Sequence, residues 1–224
     1  MSAIAVENVW KFYGDYPALR DISFRVEAGA CLAMLGRNGA GKTTLLKILA
    51  GLSRPAKGTV AMPPRNKVGV LGHGIGIYEE LSAYENLMIF AGLFGVPNPK
   101  SAAMEWLTRT NLDKVKDSAV REFSRGMRQR LAVARTFLHN PSILLLDEPF
   151  TALDDRAIAL LQGLLRDAKR GGATIVMSTH QLREALELAT DVLLIQGGKL
   201  AFRGERTGQM VADPAYIYRT YGEA

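Results

Sequence analysis

The residues best placed to do chemistry are Gly36-Arg37-Asn38-Gly39-Ala40-Gly41-Lys42-Thr43-Thr44, which fit the pattern GxxxxGK followed by Ser or Thr. Glycines let a loop curl until several backbone N–H groups face one anion, and a helix N-terminus behind it adds positive potential. Asn38, Gly39, Ala40, Gly41, Lys42, Thr43 and Thr44 are therefore expected to cradle nucleotide phosphates. Lys42 is expected to reach the β- and γ-phosphates, and the Thr43 hydroxyl to ligate Mg²⁺. A second constellation is Ile143-Leu144-Leu145-Leu146-Asp147-Glu148, an apolar strand ending in two carboxylates. Strand tips in such sheets line the ligand crevice. Asp147 suits the Mg²⁺ site beside Thr43, while Glu148 is free to polarise an attacking water. A third strand, Thr174 to Thr179, ends in His180, where a γ-phosphate could be sensed.

Such groups need a sheet to carry them. Cys31 to Leu35 is a buried strand leading into the glycine loop, and Leu45, Leu46, Ile48 and Leu49 behind it recur at helical spacing. Ile4 to Trp10 and Ala18 to Val26 read as strands of a small antiparallel sheet, with Lys11 to Asp15 as the turn. Val60 and Val68 to Leu71 are further strand candidates. From about residue 75 to 140 helical spacing takes over, as in Met104, Leu107 and Leu112, then Leu131, Ala134, Phe137 and Leu138. Strand patterns return at Ile143, Thr174 and Val192, with a helix through Ile158, Leu161, Leu164 and Leu165 ended by Gly171-Gly172. Fully apolar strands alternating with helices predict a parallel sheet covered on both faces. Gln196-Gly197-Gly198-Lys199 is a hairpin turn. The tail, with Tyr216, Tyr218 and Tyr221, reads as a short helix with no chemistry assigned. The expected class is α/β: one domain over 1–224, with a core at 1–74 and 141–224 and a helical subdomain at 75–140.

Composition limits the partners. The 224 residues are 48% hydrophobic and 22% charged, ordinary for a soluble globular domain. The longest apolar run, Leu87 to Val96, is too short for a membrane span and reads as a buried helix end. No secretion signal is visible, and the single cysteine, Cys31, reads as a small core hydrophobe, so the cytoplasm is the expected compartment. The net charge of +6 is compatible with nucleic acid, an anionic membrane or phosphate ligands. Arg121, Arg125, Arg128 and Arg130 cluster without interleaved aromatics, so nucleic acid is not the expected partner.

Phe123-Ser124-Arg125-Gly126-Met127-Arg128-Gln129-Arg130, followed by a helix and Leu145-Leu146-Asp147-Glu148-Pro149, resembles the ATP-binding cassette (ABC) ATPases over essentially the whole chain. The resemblance implies ATP and Mg²⁺ as cofactors and hydrolysis helped by Glu148 and the switch histidine His180. It further implies adenine stacking on Tyr13, and a dimer in which Ser124 and Gly126 clamp the γ-phosphate of the other copy. Asp154, in Ala152-Leu153-Asp154, matches the D-loop. Tyr13 is otherwise a turn aromatic covering the sheet edge. Transmembrane permease subunits are the implied partners, docking around His73 to Tyr84 on the inner face of the cell membrane. Two residues depart from the family. Arg125 replaces a glycine of LSGGQ, and His73 stands where a Gln is usual. If not a solvent-facing loop residue, neutral His73 can serve the water or a Mg²⁺ ligand, whereas its cation would repel the metal. His73, Glu80 to Leu87, Gly51 to Pro55 and Asp147 to Asp154 are similar to haem-exporter ATPases of cytochrome c maturation, and drug- and polysaccharide-exporting ATPases share much of this. A soluble ABC ATPase and a regulatory, weakly hydrolysing subunit are the other readings. The transported substance is not written in this chain.

Overall fold

The computed structural model describes residues 2–72, 76–151 and 153–222. Two long strands, β1 (Ser2–Tyr13) and β2 (Tyr16–Glu27), form an antiparallel hairpin. The expected turn at Lys11 to Asp15 shrinks to Gly14-Asp15, because Lys11 pairs with Leu19, Phe12 with Pro17 and Tyr13 with Tyr16. Register shifts along this pairing break the alternation that would have marked the longer strands. Next come β3 (Cys31–Leu35), helix α1 (Lys42–Leu49) and β4 (Lys57–Ala61), and β4 pairs with β1 to complete the sheet β2-β1-β4. Strand β5 (Val68–Leu71) then enters the second sheet.

Three helices follow: α2 (Ala83–Phe94), α3 (Pro99–Arg109) and α4 (Arg125–Phe137). Helix α2 starts at a capping box. The Glu85 N–H donates to Ser82 Oγ at 3.2 Å, and the Ser82 N–H donates to Glu85 Oε2 at 2.8 Å. It ends at Gly95, whose φ of 63° is left-handed. The apolar run here is only half buried. Helical periodicity turns Leu87 and Ala91 into the core, while Ile89 and Leu93 face out, Leu93 with 70% of its surface exposed.

The remaining elements are β6 (Ile143–Asp147), α5 (Asp155–Arg170), β7 (Thr174–Ser178), α6 (Leu182–Leu188), β8 (Asp191–Gln196), β9 (Lys199–Glu205), α7 (Gly208–Ala212) and α8 (Tyr216–Tyr221). The second sheet runs β5-β6-β7-β3-β8-β9, parallel except for the β8–β9 hairpin. Its central strands β3, β6 and β7 are buried along their whole length because both faces are covered, whereas edge strand β9 alternates half-buried and exposed residues. Ala33, Leu35, Leu144, Leu146, Ile175 and Met177 pack toward the helical side. Leu32, Met34, Leu145, Val176 and Leu193 pack against α1 and the antiparallel sheet. Each fully buried aliphatic side chain contributes about 1.5–3 kcal/mol of transfer free energy, so the sheet is a rigid platform. Burial pushes the Cys31 thiol up to about 12, which leaves it inert. Among the described residues, no helix is long and apolar enough to cross a membrane.

Candidate active site

The glycine loop lies where β3 ends. Gly39 and Gly41 have φ of 80° and 110°, a region L side chains avoid. A Cβ on Gly41 would sit 2.7 Å from the Ala18 carbonyl oxygen, so β2 packs directly under the loop. Gly41 offers α1 no side-chain cap, and the first turn of α1 holds no acidic residue. Its leading amides are thereby left for an external anion. Lys42 is buried, and its ammonium donates to the Gly36 carbonyl at 2.8 Å and the Arg37 carbonyl at 3.3 Å. Burial lowers its pKa, while the charges of Glu148 and Asp147 oppose the shift. Asn38 is exposed, Ala40 is buried, and Thr44 is half-buried in the first turn of α1.

Parallel pairing brings the tip of β6 to this loop. Asp147 Oδ1 accepts from Thr43 Oγ1 at 3.1 Å and from Ser178 Oγ at 2.5 Å. A hydroxyl beside a carboxylate supplies the hard oxygen donors that suit Mg²⁺, which completes its shell with phosphate oxygens and water. A cavity of about 510 Å³ opens against Thr43 and Asp147, bounded by Leu46, Val70, Gly72 and Arg135. The uncapped start of α1 with Lys42, and the Thr43 hydroxyl beside Asp147, fit ATP phosphates with Mg²⁺. His73 lies outside the described residues.

Glu148 adopts φ of 52°, a left-handed conformation that costs a glutamate about 1–3 kcal/mol. Tertiary contacts hold it there. Its N–H donates to the Ser178 carbonyl at 2.9 Å, and its Oε2 accepts from the His180 N–H at 3.2 Å and pairs with His180 Nδ1 at 2.8 Å. The sheet thus brings Lys42, Thr43, Asp147, Glu148 and His180 together at and just beyond the C-terminal ends of β3, β6 and β7, as their sequence positions predict. Tyr13 stands at the exposed hairpin end with the Lys11 ammonium 5.7 Å from its ring centroid.

Ser124, Gly126 and Asp154 gather elsewhere, around a cavity of about 520 Å³ that also touches Arg130 and Arg156. Ser124 caps α4 by accepting from the Met127 N–H at 3.2 Å, and its hydroxyl proton can still be donated. Asp154 caps α5 by accepting from the Ala157 N–H at 2.8 Å. Three contributors to the site, one on the Asp147 carboxylate and two on the phosphate loop, were invisible in the sequence. Ser178 reads as one more residue of a buried strand. Gly198 reads only as a hairpin residue, yet its N–H donates to the Ala40 carbonyl at 3.1 Å and its carbonyl accepts from the Arg20 N–H at 2.7 Å. Tyr218, in the tail assigned no chemistry, accepts from the Gly36 N–H at 3.1 Å.

Fold and site together define the P-loop ATPase class, with an uncapped helix N-terminus set beside the Asp147-Glu148 pair at the tip of β6. A family model described as "ABC transporter" matches residues 19–151. The chain belongs to this family and is an ATPase subunit of the ABC transporter class, using ATP and Mg²⁺. It is 36% identical to the Nod factor export ATP-binding protein I of Cupriavidus metallidurans, over 92% of this chain and 72% of that one. It is 36% identical to a daunorubicin resistance ATP-binding protein of Streptomyces coeruleorubidus, over 91% of this chain and 68% of that one. A solved ATP-binding subunit of an ABC transporter superposes with a TM-score of 0.86 at 27% identity, covering 100% of this chain and 96% of its own.

Proposed function

We propose that the chain powers an exporter from the cytoplasmic face of the cell membrane, working as a pair of copies on transmembrane permease subunits. The observation that carries this reading is the division of the site residues within one chain. Lys42, Thr43, Asp147, Glu148 and His180 meet at the C-terminal ends of the central strands, while Ser124, Gly126 and Asp154 line a separate cavity. Two copies arranged head to tail supply each phosphate loop with a second clamp, made of a hydroxyl and the amides at the start of α4. Phosphoryl transfer leaves the protein chiefly positioning and charge stabilisation to do. Glu148 orients the attacking water, and His180 holds the Glu148 carboxylate. Closure of the pair on ATP, and reopening after hydrolysis, is the stroke delivered to the permease.

The outward face of α2 supports permease docking. Ile89, Leu93 and Phe94 are exposed there, Tyr78 ahead of the helix is exposed and stacks on Phe90, and the Arg135 guanidinium lies 5.3 Å from the Phe90 ring centroid. Tyr78 to Tyr84, the part of the segment expected to dock that stands nearest α2 in sequence, leads into this face.

The names of the relatives, Nod factor export and daunorubicin resistance, favour the drug- or polysaccharide-exporting class. A second reading, haem export for cytochrome c maturation, rests on His73 in place of Gln and on the similarity of Glu80 to Leu87 and Asp147 to Asp154. The membrane protein that co-purifies with the chain from native membranes separates them. A drug- or polysaccharide-type permease supports the first, haem-export partners support the second, and the absence of any membrane partner overturns both.

A further inference from the structure

Gly36 is held on three sides. Its carbonyl accepts from the Lys42 ammonium at 2.8 Å, its N–H donates to the Tyr218 hydroxyl at 3.1 Å, and a Cβ there would lie 2.4 Å from the Ile195 carbonyl oxygen. The two peptide units flanking its Cα are therefore fixed by different parts of the chain. Lys42 is the cation that must leave the Gly36 and Arg37 carbonyls to meet phosphate. Once it leaves, Tyr218 stays bonded to the backbone at the start of the loop.

We propose that Tyr218 is a positioning residue of the ATP site, holding Gly36 so that the glycine loop keeps its phosphate-binding shape when Lys42 turns to the nucleotide. The inference rests on the reading of Gly36 to Thr44 as the phosphate loop. The tail is built to deliver this hydroxyl. Ile217 is fully buried, and the Tyr221 ring stacks on Phe202 of β9 with centroids 4.1 Å apart. The Gly222 N–H donates to the Tyr218 carbonyl at 3.0 Å, and Arg219 pairs with Asp213. Burial raises the Tyr218 pKa, and the nearby charge of Glu148 adds to the shift. The group is thus a neutral phenol at working pH, able to accept from Gly36 and still donate its proton. A flexible loop must be ordered each time it binds, and a pre-set one avoids that entropy. The benefit falls on binding, because Glu148 and His180 lie just past β6 and β7 and keep their own partners.

The test compares the full-length protein with Tyr218→Phe, which keeps the ring and removes the bond to Gly36. KM for ATP and Kd for a fluorescent ADP analogue are both expected to rise about three- to tenfold, the range spanned by one neutral hydrogen bond. The turnover at saturating ATP is expected to stay within about twofold, and Tyr221→Phe to bind as the wild type does. Unchanged Kd in Tyr218→Phe, alongside weakened binding in Lys42→Ala, overturns the role of Tyr218 and leaves the phosphate loop standing. Equal losses in Tyr218→Phe and Tyr221→Phe also overturn it, since they reflect tail packing alone. Wild-type nucleotide affinity in Lys42→Ala removes the phosphate-loop reading itself.

Discussion

Replacing Ser178 by Ala removes one hydroxyl from the centre of the active site and touches no nucleotide. Ser178 is fully buried and Asp147 is 8% exposed, so their 2.5 Å hydrogen bond is shielded from water. A hydrogen bond to a charged group in such a place contributes about 1.5–3 kcal/mol, and its loss leaves Thr43 alone on Asp147 Oδ1. Glu148 keeps its main tether, because its N–H donates chiefly to the Ser178 carbonyl rather than the hydroxyl. In a chain of this size each kcal/mol lowers Tm by about 2–4 °C, which gives a fall of about 3–12 °C. The Asp147 carboxylate also loses its orientation, so the Mg²⁺ concentration for half-maximal ATPase activity is expected to rise about tenfold or more, the scale seen when the partner of a metal ligand is removed. Thermal unfolding followed by circular dichroism and a Mg²⁺ titration at saturating ATP measure the two effects. Ser178→Thr keeps the donor while crowding the site. It should restore the Mg²⁺ requirement even where it lowers Tm. A Ser178→Ala protein with the wild-type Tm and Mg²⁺ requirement refutes the claim that this bond sets the carboxylate.

Other predictions follow the same geometry. Gly198→Ala places a Cβ 2.8 Å from the Ala18 carbonyl oxygen at a φ of 78°. It should destabilise by about 2–4 kcal/mol in urea unfolding and weaken ATP binding with it, as left-handed strain and a clash against backbone add. His139 stacks on Phe94 with centroids 4.1 Å apart, and burial lowers its pKa, helped by the charges of Arg135 and Lys67. The unfolded chain therefore takes up the proton first as pH falls below about 6.5, and stability should drop from there toward the folded pKa. His139→Phe should flatten that slope in urea titrations at pH 5 to 7, and an unchanged slope removes His139 as its source. A separate expectation rests on sequence alone, from His73 standing where a Gln is usual: ATPase activity should fall as the medium is acidified, more in the wild type than in His73→Gln, and coincident profiles would overturn it.

The parts of the site that lie within one short stretch were legible in the sequence. Gly36 to Thr44 and Asp147-Glu148 carry their chemistry in residue type and spacing, and His180 follows from its place at a strand tip. The parallel register that unites them was implied by strands apolar on both faces. What the sequence hid depends on distant pairing. Gly198 and Tyr218 reach the loop only because β8 runs beside β3 and the tail folds back over its end. Ser178 lies inside a run of buried residues, where a hydroxyl has no separate pattern. The strain at Glu148 is a backbone property that no side-chain sequence announces. The lengths of β1 and β2 were masked by their register shifts, and the half-exposure of Leu87 to Val96 by reading hydrophobicity without its helical period.

The central claim is that Glu148 drives hydrolysis at a site completed by a second copy of the chain. Its most direct test measures Glu148→Gln and wild type side by side, for turnover and for molecular mass in solution with ATP and Mg²⁺. Losing the base should cut hydrolysis by about a hundredfold or more. The variant should then accumulate as an ATP-bound dimer at concentrations where the wild type returns to monomer. Equal turnover in the two proteins, with the variant monomeric at saturating ATP, contradicts the account.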